Sequence, residues 1–166
     1  MFSYHDLDRQ CLCCYHPPEN IMNSSQWRTF IPPKCPSGYT LYEYSPFDIC
    51  LKYVPQGLNY PGANASCNGE NGDLIKIDTA RKFEIFKNHL EVRIPDSTTE
   101  IWVQGVETDG IWRFHDGTLI PNACPLGETN KPNETHMRSI STEDFTCHDV
   151  KAKRICHYMC ETRPIF

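Results

Sequence analysis

From Cys35 onward the apolar residues fall in short groups, and the chain's thirteen prolines and nine glycines break the pattern repeatedly. Such punctuation predicts short elements joined by turns. Tyr39 to Tyr53 reads as two short strands around Ser45-Pro46, and a first helix is expected near Gly62 to Asn68. A second helix is marked more clearly. Asp78 or Thr79 can accept the first free N–H groups, and Ala80, Phe83, Phe86 and Leu90 follow at spacings of three, three and four, forming one apolar stripe. Ile101-Trp102-Val103 and Ile111-Trp112-Arg113-Phe114 flank a turn at Thr108-Asp109-Gly110, a hairpin signal, and another turn sits at Asp116-Gly117. A polar, proline-bearing loop runs from about Pro121 to Thr135, followed by two last strands at His136 to Ser141 and Lys153 to Glu161. The expected class is α+β.

Residues 1–34 differ from the rest: they are polar, contain Pro17-Pro18 and Pro32-Pro33, crowd three cysteines into Cys11-Leu12-Cys13-Cys14, and show little apolar periodicity. This stretch is expected to be an extension or the tail of a preceding module, and residues 35–163 the single folded domain. A chain of 166 residues is long enough to bury a core.

Ten cysteines, most of them scattered between apolar stretches, point to disulfides and hence to a secreted or extracellular compartment. Three N-glycosylation sequons, at Asn23, Asn64 and Asn133, agree with that compartment. The opening MFSYHDLDRQ has neither a basic nor an apolar leader region, and no apolar run approaches the length of a membrane span. A removed leader or a piece of a longer protein is therefore expected. The net charge of −5, with signs interspersed, argues against nucleic acid as partner. Lys151-Ala152-Lys153-Arg154, the nearest approach to a basic run, is expected to be a solvated strand approach.

Six segments in order carry a family resemblance. Cys35-Pro36-Ser37-Gly38-Tyr39 with Cys50, then Ala63-Asn64-Ala65-Ser66-Cys67, then Gly72-Asp73-Leu74-Ile75-Lys76-Ile77 come first. Trp102-Val103-Gln104-Gly105-Val106, Gly110-Ile111-Trp112-Arg113-Phe114-His115-Asp116-Gly117-Thr118, and finally Cys147 with Tyr158-Met159-Cys160-Glu161 complete the set. Together they resemble the long form of the C-type-lectin-like domain over residues 35–163. The resemblance implies a Cys35–Cys50 bond and a long-range bond from Cys67 to the last strand. Residues 156, 158 and 160 alternate onto one strand face, so Cys156 and Cys160 both remain candidates for Cys67. The family's cysteine in the preceding strand is missing, and Cys124 in the long loop stands as the partner for Cys147.

Sugar-binding members of that family hold calcium with carbonyl-bearing side chains beside a loop proline and with an Asn-Asp pair in the next strand, because calcium takes several hard oxygen ligands. Here the loop reads Lys131-Pro132-Asn133-Glu134, and Glu143-Asp144 precede Cys147. The resemblance makes Lys131, Asn133, Glu134, Glu143 and Asp144 the ligand-binding candidates, with Asn133, Glu143 and Asp144 as calcium ligands. Lys131 puts an ammonium where an oxygen ligand belongs, so calcium binding is expected to be weak. Lys131 is positioned to pair with Glu143 and Asp144 instead.

The function expected is non-enzymatic recognition of a glycan. A calcium-independent extracellular protein binder is the rival within the fold, and a thiol-based metal protein centred on Cys11, Cys13 and Cys14 is the rival outside it. Those three cysteines are more in keeping with disulfides, one of which could join chains into an oligomer. Cys147-His148 and Cys156-His157 do not make a nucleophile and its base, since strand neighbours face opposite ways. No His spacing matches a metal motif. Trp102, Trp112 and Phe114 are expected in the core.

Overall fold

The computed structural model describes residues 32–165 apart from 45, 47, 95–97 and 128–130. Cys11, Cys13, Cys14 and the Asn23 sequon lie outside the described residues. Lys34–Ile165 form one compact unit.

Its elements are β1 (Thr40–Tyr42), β2 (Ile49–Leu58), α1 (Tyr60–Gly69), β3 (Asp73–Leu74), α2 (Ala80–Glu91), β4 (Glu100–Thr108), β5 (Ile111–Arg113), β6 (His136–Ile140), a 3₁₀ turn (Ser141–Glu143), β7 (Cys147–Val150) and β8 (Cys156–Thr162). The class is α+β, as expected from the sequence. Helix α1 begins at Tyr60, with Pro61 in its first turn, where no amide hydrogen is missed, and the Asn59 side chain accepts from the Gly62 amide at 2.9 Å. Thr79 caps α2 by accepting from the Lys82 amide at 3.1 Å, and the stripe of Phe83, Phe86 and Leu90 is buried. Asp109 and Gly110, with φ of 54° and 76°, make the two-residue β4–β5 turn, a left-handed conformation that Asp tolerates and Gly adopts freely.

The strands form one sheet in the order β1-β2-β8-β4-β6-β7, with β3 added to β8 and β5 to β4. Every pair is antiparallel except β4 with β8. Strand β7 begins at Cys147, beyond the Glu143-Asp144 pair that the resemblance put in that strand, and the last strand starts at Cys156 where Lys153 was expected, because residues 151–154 form the turn that joins it to β7. Trp102 is fully buried, with its indole N–H donating to the Leu58 carbonyl at 2.8 Å. Phe114 is buried and Trp112 is half-buried against the core.

Three disulfides join Cys35–Cys50, Cys67–Cys160 and Cys124–Cys147. Cys156, the other sequence candidate for Cys67, is corrected to a buried free thiol. The geometry explains the choice. The Tyr60 amide donates to the Ala152 carbonyl at 2.9 Å, which sets the start of α1 beside the chain entering β8. Cys67 lies seven helical residues farther on, about 10 Å away, and four strand residues from Cys156 to Cys160 cover a comparable ~13 Å.

Candidate functional site

The loop after β5 is fastened to β7 along its own backbone. The Cys147 amide donates to the Pro125 carbonyl and the Gly127 amide to the Cys147 carbonyl, each at 2.8 Å, and the Cys124–Cys147 bond lies beside them. Gly127 passes so close to the His148 ring that an added Cβ would stand 1.9 Å from Cε1, so only glycine fits this crossing.

Farther on, the Lys131 amide donates to Asp149 Oδ2 on β7 at 2.7 Å. Asp149 is 1% exposed, and its other oxygen has no hydrogen-bond partner. Residues 131–134 close a turn through the Glu134 amide and the Lys131 carbonyl at 3.1 Å, with Asn133 at a φ of 66° that Asn accepts more readily than most residues. Lys131, Pro132 and Asn133 are exposed and Glu134 is half-exposed. The Asn133 and Glu134 side chains have no hydrogen bond or ion pair to the described residues.

Glu143 and Asp144 lie elsewhere. They belong to the 3₁₀ turn and its exit, ahead of the strand in which the resemblance placed an acidic pair. Glu143 meets His148 Nε2 at 2.9 Å, and the same nitrogen is 2.9 Å from the Thr146 hydroxyl. Asp144 pairs with Lys87 of α2. Its direction is set by two consecutive left-handed residues, Asp144 and Phe145, with φ of 53° and 59°. Phe145 pays that strain back through burial: its ring packs edge-on to Phe86 at 6.0 Å, and its carbonyl accepts from the Ser139 hydroxyl at 2.7 Å. The pairing of Lys131 with Glu143 and Asp144 expected from sequence is thus replaced by Lys87 and His148.

The fold therefore brings Lys131, Asn133 and Glu134 together on one turn and separates them from Glu143 and Asp144. The strand acid that meets the loop is Asp149, which sequence reasoning missed. His148-Asp149, five residues beyond the chosen pair, was the available signal. Asn133, Glu143 and Asp144 do not fit a calcium site, since the two carboxylates serve separate ion pairs, and no group of three His, Cys, Asp or Glu side chains converges among the described residues. Of the sequons, Asn133 is exposed, while Asn64 is half-buried on α1 and accepts from Asn68 at 3.4 Å.

Neither cysteine beside a histidine offers a nucleophile. Cys147 is oxidised, and burial together with the Glu100 carboxylate pushes the Cys156 thiol up to about 12. A chain of polar contacts does run from Asp73 through His115 to the Tyr60 hydroxyl, at 2.8 Å for each step. Tyr60 is buried, also accepts the Gly105 amide at 3.3 Å, and has its hydroxyl pushed up by burial, so this array holds α1 to the sheet.

No family model and no curated protein matches the chain by sequence. Solved structures do match in fold. A calcium-independent type II antifreeze protein superposes with a TM-score of 0.64 at 20% identity, covering 81% of this chain and 98% of its own. The mouse scavenger receptor C-type lectin carbohydrate-recognition domain gives 0.66 at 17% identity, covering 80% and 98%. The C-type lectin CEL-I from Cucumaria echinata gives 0.65 at 16% identity, covering 76% and 96%. The chain has the C-type-lectin-like fold.

Proposed function

We propose that the chain is an extracellular recognition domain that binds carbohydrate through the Lys131 to Glu134 turn without requiring calcium. The observation that carries this reading is the anchoring of that turn by Asp149. Its carboxylate fixes the Lys131 backbone, so that the exposed Lys131, Asn133 and Glu134 side chains present donors and acceptors in a set arrangement. Preorganised polar groups lose less entropy on binding a ligand rich in hydroxyls. The fold neighbours that are carbohydrate-recognition domains support sugar as the ligand class, and the calcium-independent neighbour supports dispensing with the ion. Disulfides support the extracellular setting. A turn of this size makes few contacts, so single-site affinity is low; chains joined through Cys11, Cys13 or Cys14 would gain avidity by about 10² to 10⁴-fold.

A glycan array probed with and without chelator tests the reading. Binding is expected to survive chelation and to fall about fivefold in Asn133→Ala, the worth of one net hydrogen bond. Binding abolished by chelator would overturn calcium independence. Binding to no glycan would shift the function to the second reading, a protein binder, which is favoured by the exposed apolar Leu119 and Leu126 near the same loop, 62% and 47% exposed.

A further inference from the structure

The β7–β8 turn carries Lys151, Lys153 and Arg154, and it is fixed from both sides. The Arg154 amide donates to the Lys151 carbonyl at 2.9 Å, and the Ala152 carbonyl accepts from the Tyr60 amide at 2.9 Å. The three cations are not equivalent. Arg154 is committed to Glu100 through two hydrogen bonds of 2.8 Å, and Arg138 joins the same carboxylate. Burial works to raise the Glu100 carboxyl, but the bonds from Arg154 and Arg138 outweigh it and hold it at about 2, so the pairing persists at neutral pH. Lys151 and Lys153 are exposed, and neither ammonium has an ion-pair partner among the described residues. With Val150, Ile155 and Glu134 they line an open cleft of about 520 Å³ beside the recognition turn.

We propose that this cleft takes a sulfated or carboxylated saccharide. The inference rests on the reading that this end of the domain recognises sugar, and it names the class of sugar. Two uncompensated ammonium groups on a protein of net charge −5 are a local reversal of sign, and they offer charge-assisted hydrogen bonds to sulfate or carboxylate oxygens. Ile155, 63% exposed, offers apolar surface for the C–H face of a sugar ring, with the buried Val150 behind it. Glu134 adds an acceptor for hydroxyl groups and repels a ligand that is anionic along its whole length. The lining as a whole thus favours a ligand that combines hydroxyls with separated anionic groups over a uniform polyanion.

Calorimetry on the full chain, with a κ-carrageenan tetrasaccharide, which carries one sulfate per disaccharide and no carboxylate, its fully desulfated form and inorganic polyphosphate as probes, tests the proposal. The sulfated probe is expected to bind at least about tenfold more tightly than the desulfated one, and to weaken as salt rises. Lys151→Ala/Lys153→Ala should lose about 100-fold, tenfold per charged hydrogen bond, with Lys151→Arg/Lys153→Arg retaining binding and the distant Lys34→Gln unchanged. Unaltered binding in the double alanine variant, equal binding of the desulfated probe, or tighter binding of polyphosphate would each overturn it. Neutral glycans bound in an Asn133-dependent way with no response to the sulfated probe would sink this inference and leave the recognition turn standing. No saccharide bound by any measure would remove both.

Discussion

Cys67–Cys160 and Cys124–Cys147 are both buried crosslinks set in unlike surroundings. Around the first, Tyr60, Ala63, Leu74, Trp102 and Tyr158 form a packed apolar cluster. Burial and hydrogen bonds, the Tyr60 amide to the Ala152 carbonyl and Ser66 with the Tyr158 hydroxyl, bring α1 and β8 together there, and the bond acts chiefly on the unfolded chain, whose 93-residue loop it closes. Around the second, Cys124 and Cys147 join the core under α2, but the loop beyond them touches β7 only through two backbone hydrogen bonds and the Gly127–His148 crossing, with Leu126 left exposed. That bond closes only 23 residues. One crosslink serves the stability of the whole domain, and the other holds the loop that carries the Lys131 to Glu134 turn.

The largest expected effect is on the packed side. Cys67→Ala/Cys160→Ala should lower unfolding free energy by about 4 to 5 kcal/mol in urea titration, against about 3 kcal/mol for Cys124→Ala/Cys147→Ala. Amide exchange sharpens the contrast: the second variant should speed exchange at Gly127 and Cys147 while Ile75 and Gln104, hydrogen-bonded inside the sheet, stay protected. Equal acceleration at all four amides would erase the distinction between the two regions.

Acid should load α2 next. Burial, with a smaller contribution from Arg93, pushes the His89 imidazole down to about 4, its Nδ1 lies 2.8 Å from the Tyr42 hydroxyl, and Nε2 is buried without a partner. The unfolded chain, with His near 6.5, binds the proton more readily, so stability is full above about pH 6.5 and falls as pH drops toward 4, by about 1 to 3 kcal/mol. His89→Phe should flatten that part of the profile. An unchanged slope would assign the acid sensitivity elsewhere.

The smallest effect concerns the loop side. Lys87→Ala removes a surface ion pair to Asp144 and should leave the urea midpoint nearly unchanged. Glycan binding should not change, because Asp144 is outside the Lys131 to Glu134 turn.

Much of the core was legible from the sequence, for reasons that particular elements make concrete. The α2 stripe announces itself because Phe83, Phe86 and Leu90 obey a helical period that only burial rewards. The hairpin at Asp109-Gly110 is equally local. The extent of strand β7 was not legible: Cys147, His148, Asp149 and Val150 are all buried, so the alternation that marks a half-exposed strand is absent, and two of the four are polar. Setting the strand too early put Glu143 and Asp144 in it and hid Asp149. Cys156 and Cys160 share parity on one strand, and only the placement of α1 separates them.

The backbone pairing of Lys34 with Ile165, at 3.0 and 2.8 Å, sets the two ends of the compact unit side by side. Under tension applied at those ends, this pair would open one bond at a time, as a zip does, and yield at low force. The covalent bonds would then arrest the extension. With Cys35–Cys50 and Cys67–Cys160 intact, most of the chain is shielded from the load, and roughly 20 residues, ~70 Å of contour, are free to pay out. A domain built this way keeps the Lys131 to Glu134 turn, held within the Cys67–Cys160 loop, intact while its ends are pulled.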